Sequence, residues 1–137
     1  MPRWVKLALI GVGVLLALWA LNVVRVRHAE QKAIAAAMPG FQAQVAQTPK
    51  LGGQPRLLDW AWRETGAATG AQTFETIVYD ESDEIGRGGA APSAAWRGRD
   101  GGRLKSIADA MDRRNGDDVV EVRSLGGHFY RVTQTQQ

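Results

Sequence analysis

Residues 7–24 read LALIGVGVLLALWALNVV, eighteen positions with no charge and with Asn22 as the one strongly polar side chain. Arg3 and Lys6 precede the run, and Arg25 and Arg27 follow it. A helix rises about 1.5 Å per residue, so this length matches most of a roughly 30 Å hydrocarbon core, where a helix satisfies its own backbone hydrogen bonds. The stretch predicts a membrane anchor over residues 1–24 and leaves the remainder to fold in water.

A cleaved secretory signal is the competing reading, with residues 1–6 as its charged head and a small-residue site ending at Ala20. Leu18 stands where that site wants a small side chain, and the apolar run exceeds the usual h-region of about 7 to 15 residues. An uncleaved signal-anchor is therefore favoured. Cations on the two sides nearly balance, so the positive-inside rule gives no vote on orientation. A short head carrying Arg3, Lys6 and an amine is harder to translocate than a large tail, which puts the C-terminal part in the periplasm. Trp4 and Trp19 suit the head-group belt, while Gly13 and Ala17 have the small-xxx-small spacing that lets a second helix approach and is also common in ordinary spans.

Outward from the anchor, Ala29, Ala33, Ile34 and Ala37 sustain helical periodicity as a stalk over residues 25–38, which Pro39-Gly40 should end. Residues 39–56, rich in Gln, Thr, Pro and Gly, read as a linker. Residues 57–137 hold one small soluble α+β domain, too short for a second core. Within it Leu58, Trp60 and Trp62 alternate with Asp59, Ala61 and Arg63, and the β-branched and aromatic run 74–80 pairs with them across a loop at 66–70. Leu104, Ile107, Ala108 and Met111 fall at i, i+3, i+4 and i+7, giving an amphipathic helix over 103–114 that Asn115-Gly116 stops. Strands at 119–124 and 128–134 close a ββαββ order of antiparallel hairpins backed by one helix. A three-residue loop, Leu125-Gly126-Gly127, sets Val120 opposite Val132, Val122 opposite Tyr130 and Ser124 opposite His128. It also sets Glu121 across from Arg131, and Arg123 across from Phe129.

The sequence pI of about 9.7 suggests nucleic acid until the charges are placed. Residues 1–38 carry five cations against Glu30, a net of +4, whereas residues 39–137 carry 12 Arg and Lys against 13 Asp and Glu. The basicity flanks the membrane, and no nucleic-acid partner is expected. The chain has no cysteine, which removes disulfides and thiolate chemistry without fixing a redox compartment. Arginine among the cations, with abundant Ala and Gly, looks like a bacterial chain from a GC-rich genome.

Asp80, Glu81, Asp83 and Glu84 form the sharpest local cluster, but Ile85 stands where a calcium loop needs glycine and no bidentate Glu closes it. A charge patch facing the seven cations from Arg87 to Arg114, within the chain or on a partner, is the preferred reading. Gly86-Arg87-Gly88-Gly89 lacks the Lys and Ser/Thr of a nucleotide loop. His28 is isolated, and Ser124 with His128 has no orienting acid nearby in sequence. Trp60 and Trp62, two apart, share a face; they and Trp96 pack under the helix or anchor a ligand. No catalytic, cofactor or metal residue is assigned. The expectation is a non-enzymatic, single-pass protein of the bacterial inner membrane, an accessory or assembly subunit whose partners are the bilayer and other membrane proteins. A cell-wall or ligand-binding module is the alternative, and an anchored hydrolase ranks last.

Overall fold

The computed structural model describes residues 2–66, 70–87, 92–93, 96, 102–113 and 118–136. It is α+β, with a long apolar N-terminal helix and a four-stranded antiparallel sheet. The chain divides into two compact units, Met1–Gln44 and Val45–Gln137.

Helix α1 covers Arg3–Gln47 and is the one described helix long and apolar enough to cross a membrane. None of its apolar window is buried, with Leu7 at 69% exposed and Leu15 at 67%. The helix does not end at Pro39-Gly40, so the expected linker begins later. Pro39 removes one N–H from the ladder, the bond to the carbonyl four residues back. The alanines before it and the Gln and Ala after it are good helix formers, and extending an established helix avoids the cost of a new nucleus. Thr48 N–H then bonds Val45 O at 3.1 Å, and Arg56 Nη1 reaches the same carbonyl at 3.0 Å, placing a cation on the negative end of the helix.

The second unit holds β1 (Leu57–Gly66), β2 (Gln72–Asp80), α2 (Arg103–Asp112), β3 (Val119–Gly126) and β4 (Phe129–Gln136). The sheet order is β1-β2-β4-β3, every neighbour antiparallel. Leu104, Ile107 and Ala108 of α2 pack with Val78, Ile85, Trp96, Tyr130 and Val132 into one core. The expected helix stop at Asn115-Gly116 lies outside the described residues, as do Gly88-Gly89 and most of the 66–70 loop.

Two local irregularities change the expected faces. In β1, Ala61 pairs with Thr76 and Arg63 with Glu75, leaving Trp62 as the extra residue of a bulge. Leu57, Asp59 and Ala61 lie on the α2 side, whereas Trp60 pairs with Ile77 on the opposite face and stacks on Phe129 at 6.3 Å. The two indoles are thus not a matched pair under the helix.

In the last hairpin Val122 opposes Val132, Ser124 opposes Tyr130, and Gly126 opposes Phe129. That register differs by two residues from the expected one and keeps every side chain on its face. Gly127 and His128 have φ of 58° and 68°, the paired positive values of a tight two-residue turn. The expected three-residue loop left the histidine in the strand; instead it occupies the second turn position, and a bulge at Leu125 absorbs the odd residue. Consequently Glu121 faces Thr133, Arg123 faces Arg131, and Arg131 bonds Glu75 of β2 at 2.5 Å.

Candidate functional site

The acidic turn after β2 is held by a dense set of hydrogen bonds. Asp80 is 1% exposed. Its Oδ1 accepts from Ser82 N at 3.0 Å and Ser82 Oγ at 2.5 Å; its Oδ2 accepts from Ile85 N at 3.0 Å and Trp96 Nε1 at 3.1 Å. A buried carboxylate is costly unless its lone pairs are filled, and these four donors fill them. Trp96, 2% exposed, therefore belongs to the core, with its indole N–H satisfied.

Glu81 bonds Arg56 through both its backbone N–H, at 2.7 Å, and its guanidinium, at 3.1 Å, and takes Lys50 Nζ at 3.0 Å. These contacts, with Arg56 first, hold the Glu81 carboxyl at about 2, below its ordinary 4.5. A depressed carboxylate stabilises the fold above its unfolded value and loses that contribution as pH falls towards its folded value. Replacing Glu81→Gln should therefore flatten the melting-temperature profile between about pH 4.5 and about pH 2, measured by circular dichroism. An unchanged acid limb would contradict the assignment.

Asp83, at φ 55°, accepts from Tyr130 Oη at 2.6 Å and His128 Nδ1 at 2.8 Å. Both bonds lower its pKa, the tyrosine contributing most. Burial, then the Asp83 bond, raises Tyr130 to about 12, so the neutral phenol favours the fold at low pH and that contribution fades as pH climbs from 10 to about 12. Glu84 accepts from Ser93 N at 2.9 Å.

The four acids thus find partners inside the chain. Glu81 uses Lys50 and Arg56, Asp83 uses Tyr130 and the turn histidine with Arg87 adding a favourable charge, and Asp80 and Glu84 accept from Ser82, Ile85, Trp96 and Ser93. Among the described residues no group of three His, Cys, Asp or Glu is arranged to hold a metal. Asp83 supplies the orienting acid for His128 that the sequence did not reveal. Ser124, however, stands across from Tyr130 and accepts from Gly126 N at 3.3 Å, and no hydroxyl among the described residues bonds the second nitrogen of His128. Among the described residues the turn holds a carboxylate-pinned histidine with no nucleophile bonded to it.

Gly86 is where the turn meets the sheet. A Cβ there would sit 2.6 Å from Tyr130 Cε1 and 2.7 Å from its hydroxyl. The ring is buried and tied to Asp83, so it cannot swing away freely. Gly86→Ala should destabilise the domain by about 1–3 kcal/mol in a urea titration, the range for overpacking; a neutral result would show that the ring yields.

No match to the chain is found among protein-family models, curated proteins or solved structures. Apart from the turn, a cleft of ≈ 490 Å³ lies between the bulged end of β1 and the first turn of α2, lined by Trp62, Phe74, Thr76, Ser106, Gln134 and Gln136. Its charged rim is paired within the protein: Arg103 with Asp59, Glu64 with Gln72 at 2.6 Å, and Glu75 with Arg63 and Arg131. Gln134, 5% exposed, has no acceptor for its Nε2. A buried donor left unmatched costs about 1–3 kcal/mol. Of the residues singled out from sequence, Trp62 lines this cleft, Trp60 faces the other side of the sheet, and Gly13 and Ala17 lie on α1 with open space around Gly13. Gln134 carried no signal of its own, because an alternating Thr-Gln strand end reads as a solvated edge.

Proposed function

We propose that this is a non-enzymatic, single-pass membrane protein of the bacterial inner membrane, anchored by residues 1–24 and presenting its ββαββ domain in the periplasm as an accessory or assembly subunit. The carrying observation is α1: a strongly apolar window, none of it buried and flanked by cations, continues as helix to Gln47. Exposed apolar surface of that extent needs lipid or protein around it. Support for a contact role comes from the acidic turn, whose carboxylates are spent bracing the fold. Purification of the full chain in mild detergent tests this directly. The proposal expects a stable membrane-protein partner to co-purify; a solitary chain found in the soluble fraction contradicts it. A second reading, an anchored ligand-binding module, draws on the cleft beside Trp62.

A further inference from the structure

We propose that the cleft between β1 and α2 binds a neutral sugar bearing an acetamido group, its carbonyl accepting from Gln134 and its ring lying against Trp62 and Phe74. The inference deepens the second reading and is independent of any membrane partner.

Three observations narrow the occupant. The cleft has the size of a small-molecule site, within the usual range of roughly 300–1,000 Å³. One of its polar lining groups is a donor in want of an acceptor, the Gln134 amide, which is more than nine-tenths buried. A purely apolar ligand would leave that donor unmatched, whereas a carbonyl would satisfy it. The rim carries two arginines and two glutamates, and with the adjoining Arg131 and Asp59 these charges sum to zero, so the cleft favours neither an anion nor a cation. A neutral ligand with a carbonyl and a flat C–H face fits these terms, the face resting on the indole of Trp62 and the ring of Phe74.

A peptide would offer the same carbonyl, but extended peptides bind a sheet by adding a strand to its edge. β1 is an edge strand, and the Trp62 bulge interrupts its ladder at the mouth of the cleft. The sugar ring asks for no such ladder. The hydroxyl of Ser106 and the amide of Gln136 also line the cleft and suit the sugar's hydroxyls.

The test is calorimetric titration of the full chain, held in a detergent without a sugar head group, with chitotriose, with maltotriose and with an N-acetylated alanine peptide. Chitotriose is expected to bind saturably, and more tightly than maltotriose, which lacks the acetamido carbonyl. Trp62→Ala and Gln134→Leu should each weaken it by about tenfold or more, while Arg123→Ala on the opposite face should leave it unchanged. Should Gln134→Leu fail to fold, Ser106→Ala beside Trp62→Ala decides the location. No saturable binding of chitotriose, binding indifferent to Trp62, or equal affinity for the peptide would overturn the inference. None of those results bears on whether the chain resides in a membrane or co-purifies with a partner.

Discussion

Asp80→Ala should lower the stability of the sheet domain by about 3–5 kcal/mol, because it removes one buried acceptor from four donors at once. Ile85 N–H and Trp96 Nε1–H would be left inside the protein with nothing to bond, and Ser82 would lose the anchor for both its amide and its hydroxyl. Ile85 and Trp96 belong to the core that α2 and the sheet share, so the loss spreads from the turn into the packing. Domains of 60–100 residues shift by roughly 4–8 °C per kcal/mol, so the melting temperature should fall by at least about 12 °C. Asp80→Asn keeps the shape but turns an NH2 towards N–H donors and should fall between the wild type and the alanine variant. Trp96→Phe removes one donor together with part of the ring and should cost less than Asp80→Ala. A change below about 1 kcal/mol for Asp80→Ala would mean that the turn is held by something other than this carboxylate.

The second large effect concerns α1. Leu15 and Leu16 lie at the middle of the apolar run, and an arginine at the centre of a spanning helix costs about 2.5–3.5 kcal/mol on insertion scales. Leu15→Arg combined with Leu16→Arg should therefore disfavour insertion by roughly 6 kcal/mol, enough to shift the chain from the membrane pellet to the soluble or degraded fraction. The second unit should keep its melting temperature in that variant, since neither residue belongs to it. If the doubly substituted chain still resisted extraction from membranes, α1 would not be the anchor.

What the sequence disclosed and what it concealed follow from the range of the forces involved. The apolar run, the i, i+3, i+4, i+7 pattern of α2 and the β-branched strands are local periodicities, and each reads directly. Pro39 misleads because a proline costs a helix one bond while the residues on either side still favour it. The Trp62 bulge and the Gly127-His128 turn are single-residue choices made by tertiary context. His128 adopts a positive φ with Asp83, forty-five residues earlier, bonded to its ring. Partners such as Arg56 for Glu81 and Tyr130 for Asp83 are likewise distant in the chain, and composition cannot choose them over the nearer arginines. The cleft was half legible: Trp62 stood out as an aromatic anchor, whereas Gln134 becomes a feature only when its strand is buried against Val120 and Phe74.

The central claim, that residues 1–24 stay on the chain and reside in lipid while the remainder folds in water, is tested most directly by washing membranes from expressing cells with alkaline carbonate and taking the intact mass of what remains. The account predicts a full-length chain in the pellet, with Met1 or Pro2 at its start. A chain that begins after Ala20, or that appears in the wash, would contradict it.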